Sequence, residues 1–221
     1  MYDIVFISYN EPNADTNWQL LKARFARAKR IDGVKGIHQA HIAAAKKCFT
    51  KMFWVVDADA QILDGFNFDH KVDEYDLETV HVWRSRNPVN NLLYGYGGVK
   101  LLPRKLTLNM DTTKPDMTTS ISKYFKAMPD TSNVTAFNTN EFEAWKGAFR
   151  ECTKLASKTI DRQNEDETNE RLHIWTTVGE DRPFGEYAIK GAIAGREYGL
   201  SSGVDIRLIN DFDWLRTQFD D

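Results

Sequence analysis

Cysteine is scarce in this chain: Cys48 and Cys152 are the only two in 221 residues. Both fall in segments that read as helix, so a disulfide framework is not expected and a reducing compartment is. No apolar run approaches the ~20 residues that a membrane span requires. The N-terminus opens directly on Tyr2 to Ser8, without the basic, apolar and small-residue order of a signal peptide. A cytoplasmic protein with no membrane partner is therefore expected. Charge of one sign is lacking too. Lys and Arg number 29 against 32 Asp and Glu, for a net charge of -3. That balance excludes a surface that binds nucleic acid everywhere, while leaving room for a local basic patch. Internal repeats, low-complexity tracts and linkers are absent as well, so residues 1–221 read as one domain, long enough for a real core.

What is present is an alternation of strand and helix signals. Asp3 to Ser8 is a short apolar run stopped by the turn chemistry of Tyr9-Asn10-Glu11-Pro12. Ala14 to Phe25 carries Trp18, Leu21 and Phe25 at helical spacing, with Asn13 or Asp15 to cap it. Ala28 to Ile31 reads as a strand turned by Asp32-Gly33, and Gly36 to Cys48 as an alanine-rich helix. Met52 to Val56 is the third strand, and Thr79 to Trp83 and Gly98 to Leu102 are further candidates. This order predicts an α/β fold: a Rossmann-like domain whose mostly parallel central sheet is flanked by helices. Later, Asn140 to Lys158 reads as a helix and Ile160 to Glu170 as a charged, solvated or mobile turn region. Glu186 to Tyr198 reads as the final helix.

Met52 to Ala60, Met-Phe-Trp-Val-Val-Asp-Ala-Asp-Ala, carries the most chemistry. Five apolar residues end in Asp57 and Asp59, one residue apart. Ligands of such sheets bind just beyond the carboxyl ends of the strands. Two carboxylates there are hard oxygen ligands for Mg²⁺ or Mn²⁺, which would hold a diphosphate. The other strand ends supply Ser8, Tyr9, Asn10 and Asp32 for a base and ribose. Lys35 and His38 stand at the start of the helix ahead of the third strand.

An Asp-x-Asp at a strand end resembles the signature of nucleotide-sugar glycosyltransferases of the GT-A architecture. Lys35 to Ala45 is similar to the Gly-x-x-x-Ala-x-Asn-x-Gly helix of inverting members, with His41 in place of the Asn and Ala43 in place of the following Gly. Gly97-Gly98 resemble the Gly-Gly turn that lines the acceptor site. Glu180-Asp181, followed by Ala194-Gly195, resemble the acid pair that opens a helix ending in Ala-Gly. The resemblance is strong over the first hundred or so residues and fragmentary afterwards. It implies a single GT-A-like domain, with a nucleotide-binding half over 1–105 and an acceptor half over 106–221 that contains a helical insertion. It also implies a metal-dependent, inverting glycosyltransferase that takes a nucleoside diphosphate sugar, with uridine as the preferred base. On that resemblance Asp59 holds the metal and Asp57 supports it or the donor ribose. Asp181 is the general base and Glu180 the fallback. Trp83 to Pro88 and Tyr94 to Gly98 resemble small glycosyltransferase-like proteins of tailed bacteriophages, which would place the protein in a host cytoplasm.

Competing readings meet specific obstacles. A haloacid-dehalogenase phosphatase needs Thr or Val two residues beyond the second Asp, where Gln61 stands. A nucleotidyltransferase opens with a Gly-rich loop after its first strand, and Ser8 to Asn13 has no Gly. A GT-A-like domain that binds a sugar nucleotide or glycan without turnover remains open. So does the acceptor. Arg84, Arg86, Lys100, Arg104 and Lys105 are interleaved with Trp83, Tyr94 and Tyr96, which suits either a glycan or a hydroxymethylated DNA base.

Overall fold

The computed structural model describes residues 1–159 and 164–220, with the backbone alone for 94–96. The chain divides into two compact units. The first takes Met1–Arg86, Leu93–Thr113 and Met117–Ala136; the second takes Asn87–Leu92, Lys114–Asp116 and Phe137–Asp221.

In the first unit, β1 (Asp3–Ser8), α1 (Ala14–Arg24), β2 (Lys29–Asp32), α2 (Ile37–Lys47) and β3 (Met52–Asp57) follow the expected alternation. Next come β4 (Ala60–Ile62), a 3₁₀ turn at Glu74–Asp76, β5 (Val80–Arg86), β6 (Leu93–Pro103), α3 (Arg104–Leu108), α4 (Met117–Ile121) and β7 (Phe125–Thr135). The architecture is α/β, a seven-stranded sheet in the order β2-β1-β3-β6-β5-β7-β4 flanked by helices. The sheet is mixed rather than mostly parallel. β2, β1 and β3 run parallel, as does β5 with β7, whereas β6 is antiparallel to both its neighbours and β4 to β7. The short link from Arg86 to Leu93 accounts for one reversal, since a parallel pairing needs a crossover of a dozen or so residues.

Both faces of the sheet are covered. Ile4, Phe6, Trp54, Val56 and Trp83 pack on one side with Leu21 of α1. Val5, Phe53, Val55 and Leu102 pack on the other with Ala44 and Ala45 of α2. Met52 to Val56 is consequently buried at every position, as a strand covered on both faces must be. Cys48 and Cys152 are free and buried. No described helix is long and apolar enough to cross a membrane.

The start of β1 is tied to the entry of β3. The Asp3 carboxylate accepts from Lys29 Nζ at 2.6 Å, Phe49 N at 2.7 Å and Thr50 N at 3.1 Å. Burial opposes its ionisation, but Lys29 and the two backbone N–H groups outweigh burial and hold the carboxyl down at about 2. A depressed carboxyl stabilises the fold above its unfolded pKa of about 3.9, and the contribution is lost as pH falls through about 2. Asp3→Asn should therefore cost about 1–3 kcal/mol at pH 7 and progressively less in acid. Denaturant unfolding at several pH values checks this, and equal stability at pH 7 would contradict it.

The second unit holds α5 (Glu141–Ala156), α6 (Glu165–Thr177), α7 (Gly185–Leu200), a 3₁₀ turn at Ile206–Asn210 and α8 (Phe212–Asp220). Two expectations are corrected here. Most of the segment read as a solvated turn is helix α6, capped by Asn164, whose side chain accepts from Glu167 N. Its buried Thr168, Leu172 and Trp175 follow helical spacing. Residues 160–163 of that segment lie outside the described residues. Nor is α7 the final helix, because α8 follows and contributes Leu215 to a cluster with Trp145, Phe149 and Ile209.

Gly195 lies inside α7 rather than at its end. A Cβ on Gly191 would stand 2.2 Å from Trp145 O, and one on Gly195 would stand 2.2 Å from Phe149 O. Ala194-Gly195 thus belongs to a close backbone approach of α7 to α5, fixed by Thr153 Oγ1 donating to Gly195 O at 3.0 Å.

Candidate functional site

The acidic turn after β3 is held from two directions. Asn17, on α1, donates to Ala58 O at 2.8 Å, and Ala136 N donates to Asp59 O at 2.7 Å. Asn13 Nδ2 reaches Ala136 O at 3.1 Å, so the expected cap residue of α1 serves this turn and does not bond its own helix. Its Oδ1 is buried without a hydrogen-bond partner. Asp57 and Asp59 are both half-buried. Burial pushes the Asp59 carboxyl up to about 7, and the negative charges of Asp57 and Glu11 push the same way.

Asp57 has a partner that the sequence did not disclose. Lys100 Nζ donates to both of its carboxylate oxygens at 2.8 Å and to Gly97 O. Lys100 lies on β6 opposite Val55, so alternation along the strands puts Lys100 and Asp57 on the α2 side of the sheet. A lysine that is 3% exposed in an apolar strand requires such a partner. That requirement was the available signal: Lys100 interrupts Val99-Lys-Leu101-Leu102, and a lone charge in a buried strand implies a counter-charge.

Lys100 is therefore not one of the cations offered to an acceptor. Trp83, 2% exposed, is no stacking platform either. Arg84, Arg86 and Lys105 are exposed; Arg104 is half-buried and donates to Ala45 O at 3.0 Å. The side chains of Tyr94 and Tyr96 lie outside the described residues. Gly97 (φ 87) sits where the register between β5 and β6 shifts, in a bulge just past Val99, the partner of Val56. Gly97-Gly98 therefore flank the end of β3. A Cβ on Gly98 would stand 2.5 Å from Asn133 Nδ2, in a buried polar network where Ser85 and Ser132 both donate to Asn133 Oδ1 at 2.8 Å.

On α2, His41 is 2% exposed, and Nδ1 lies 2.7 Å from Ile37 O. A carbonyl only accepts, so Nδ1 carries the proton and Nε2 presents a lone pair. That Nε2 is buried without a partner. Burial, then the charge of Lys100, hold the ring down at about 4, so it is neutral at pH 7. His38 is buried too, with Nε2 3.1 Å from Ser120 Oγ. Lys35 is exposed ahead of α2.

Of the expected nucleotide residues, the structure joins Ser8 and Asp32. Ser8 Oγ donates to Asp32 Oδ1 at 2.5 Å, and Arg30 Nε donates to Ser8 Oγ at 2.9 Å. Arg30 was missed by sequence reasoning. Tyr9 N donates to a Glu11 oxygen at 2.5 Å, and Asn10 is exposed in the left-handed region (φ 62).

Glu180 and Asp181 do not open α7. They are exposed in a turn closed by Arg182 N to Gly179 O at 3.0 Å, and a second turn joins Gly185 N to Arg182 O at 2.8 Å. Pro183 and Phe184, which is left-handed at φ 57, separate the pair from the helix start. A Cβ on Gly185 would stand 1.8 Å from Gly179 O, so the loop is tightly closed.

Among the described residues no group of three or more His, Cys, Asp or Glu side chains could hold a metal ion. Two carboxylates suffice for Mg²⁺ or Mn²⁺ when substrate phosphates complete the shell. Asp57, Asp59 and Glu11 crowd negative charge here that Lys100 offsets only in part, and a cation would relieve it, so the residues fit the group.

An open cavity of about 510 Å³ in the same unit lies against Trp54, Phe66 and Trp83. It holds neither acid of the turn, and its Trp54 and Trp83 walls are buried against each other, ring centroids 4.5 Å apart.

No family model and no curated protein matches this chain. Among solved structures it is similar to the mannosyltransferase PcManGT from Pyrobaculum calidifontis in complex with GDP-Man and Mn²⁺, at 12% identity and a TM-score of 0.46, over 99% of this chain and 82% of that one. It is also similar to HddC from Yersinia pseudotuberculosis, at 13% identity and a TM-score of 0.37, over 58% of this chain and 90% of that one.

Proposed function

We propose that this chain is a metal-dependent glycosyltransferase that moves a sugar from a nucleoside diphosphate sugar to an acceptor hydroxyl. One observation carries the reading: a backbone-pinned Asp57-Ala58-Asp59 turn at the carboxyl end of a buried strand, with Asp59 crowded by the negative charges of Asp57 and Glu11. Asp59 would hold the cation, with Asp57 beside it. A divalent cation bound there supplies Lewis-acid stabilisation of the leaving diphosphate.

The chain's own residues then bind and orient. Ser8 and Asp32, already bonded to each other, are assigned to the ribose, with Asn10 and Tyr9 toward the base, for which uridine is favoured on family resemblance. Lys35, exposed, is assigned to the donor phosphates. His38, engaged with Ser120, is reassigned as an anchor of α2. A glycan is favoured over a DNA base as acceptor, because Trp83 is buried and Lys100 is consumed by Asp57.

Asp181 is assigned as the base for the acceptor proton, with Glu180 as fallback, from the order of the motifs and their exposure ahead of α7. Asp181→Asn should keep Mn²⁺-dependent nucleotide binding and lose turnover by ~10²-fold. Near wild-type turnover would remove this assignment, and a product that retains the donor's anomeric configuration would remove the inverting scheme. A panel of nucleoside diphosphate sugars, assayed with Mn²⁺ for hydrolysis and for thermal stabilisation, tests the reading as a whole. Stabilisation without any turnover on glycan acceptors would favour a binding domain.

A further inference from the structure

We infer that Lys100 is a positioning residue that competes with the divalent cation for Asp57, with His41 Nε2 as the acceptor that takes up the displaced ammonium. The inference rests on the metal-nucleotide reading of the acidic turn.

The geometry of Lys100 is saturated. An ammonium has three N–H groups, and here they go to Asp57 Oδ1, Asp57 Oδ2 and Gly97 O. The side chain is 4% exposed, whereas that of Asp57 is 36% exposed. Asp57 can therefore be approached from outside, while the ammonium behind it has no solvent to turn to. A cation that coordinates Asp57 meets a fixed unit charge across the same carboxylate, and a partly buried site screens that repulsion poorly. Asp59 feels the charge of Lys100 without a bond to it, and is crowded by Asp57 and Glu11. Metal entry should begin at Asp59 and engage Asp57 only at the expense of a Lys100 bond.

His41 makes that exchange feasible. Its Nε2 is a bare lone pair with no hydrogen-bond partner, it is buried, and its helix α2 covers the sheet face from which Lys100 and Asp57 project. A buried acceptor left empty is costly, and a lysine N–H released from Asp57 would fill it. The otherwise unexplained orphan on His41 thus becomes the second seat of the same ammonium. The ammonium holds the acidic turn together without metal and steps back toward α2 when metal arrives.

The test uses Mn²⁺ alone, titrated into the full chain, with free Mn²⁺ read by electron paramagnetic resonance. Lys100→Met should bind Mn²⁺ about tenfold or more tightly than wild type, because a competing charge is gone. The gain should vanish in Lys100→Met combined with Asp57→Asn. His41→Phe should weaken Mn²⁺ binding, since the displaced ammonium then has no seat. Lys100→Gln keeps a donor for Asp57 without the charge, and it carries the test if Lys100→Met does not fold. A folded Lys100 variant with unchanged or weaker Mn²⁺ affinity overturns the inference. If neither variant folds, Lys100 is a structural anchor and the inference is overturned as well. Failure of the functional reading shows separately, as wild-type protein that binds no nucleoside diphosphate in the presence of Mn²⁺.

Discussion

Asp59→Asn should lose Mn²⁺-dependent binding of nucleoside diphosphate by roughly 100-fold or more, yet melt at a higher temperature than wild type at pH 8. The two effects share a cause. Asp59 is a carboxyl pushed up to about 7 by burial and by Asp57 and Glu11, a strained arrangement of the kind that clusters at functional sites. An unfolded aspartate titrates near 3.9. Between those values the folded chain holds a proton that the unfolded chain has released. Stability therefore falls as pH rises through that window, and the loss is complete above about 7. Asparagine is neutral throughout and escapes the loss. In metal-free protein the melting curves of variant and wild type should coincide near pH 4 and separate by a few degrees at pH 8. Calorimetry with nucleotide and Mn²⁺ reads the first effect, and thermal melts across pH read the second. Unchanged affinity in the variant would remove the metal role of Asp59.

Gly195→Leu should be among the most damaging single substitutions in the helical unit. Propensity alone favours the change, since leucine is a better helix former than glycine by up to ~1 kcal/mol. Packing opposes it more strongly. The new Cβ would stand 2.2 Å from Phe149 O and 2.8 Å from Phe149 C, both backbone atoms that no rotamer change can move. α5 and α7 would have to separate along the line that also includes Gly191 and Gly199, and the bond from Thr153 to Gly195 O would be lost. A cost of about 3 kcal/mol or more follows, lowering the melting temperature by ~6–12 °C. Ile193→Leu is the control, because Ile193 is an exposed apolar residue of the same helix. Melting followed by far-ultraviolet circular dichroism distinguishes them, and an unchanged transition in Gly195→Leu would refute the close approach.

The part of the fold that was legible in the sequence is the part where one physical signal dominates. β1 and β3 are short apolar runs that end in turn residues, and the helices between them carry clear spacing. β7 gave no such signal. It contains Pro129, Asp130, Ser132 and Asn133, and Pro129 and Asp130 fall where the register with β5 shifts, the place a sheet tolerates proline. Asn133 reads as a loop residue until its buried network is seen. The acids of α6 masked its apolar stripe of Leu172 and Trp175. At the site, the position of Asp57 and Asp59 was legible, because the end of an apolar run marks the end of a strand. The pairing of Asp57 with Lys100 was not, since it depends on which strand lies beside β3 and in which register. Trp83 was read as a platform because composition cannot tell an exposed ring from a buried one. The helix itself was legible, read from Glu186 and observed from Gly185, but the family resemblance set Glu180 and Asp181 at its opening, whereas the left-handed Phe184 keeps the pair outside it.

The central claim is that the turn at Asp57 and Asp59 is a metal and diphosphate site. Isothermal calorimetry of the wild-type chain with uridine diphosphate, with Mn²⁺ and then with a chelator in its place, tests it most directly. Saturable binding that requires Mn²⁺ and disappears with the chelator is the predicted result. Absence of heat with Mn²⁺ for uridine diphosphate, and then for the other nucleoside diphosphates, would contradict it.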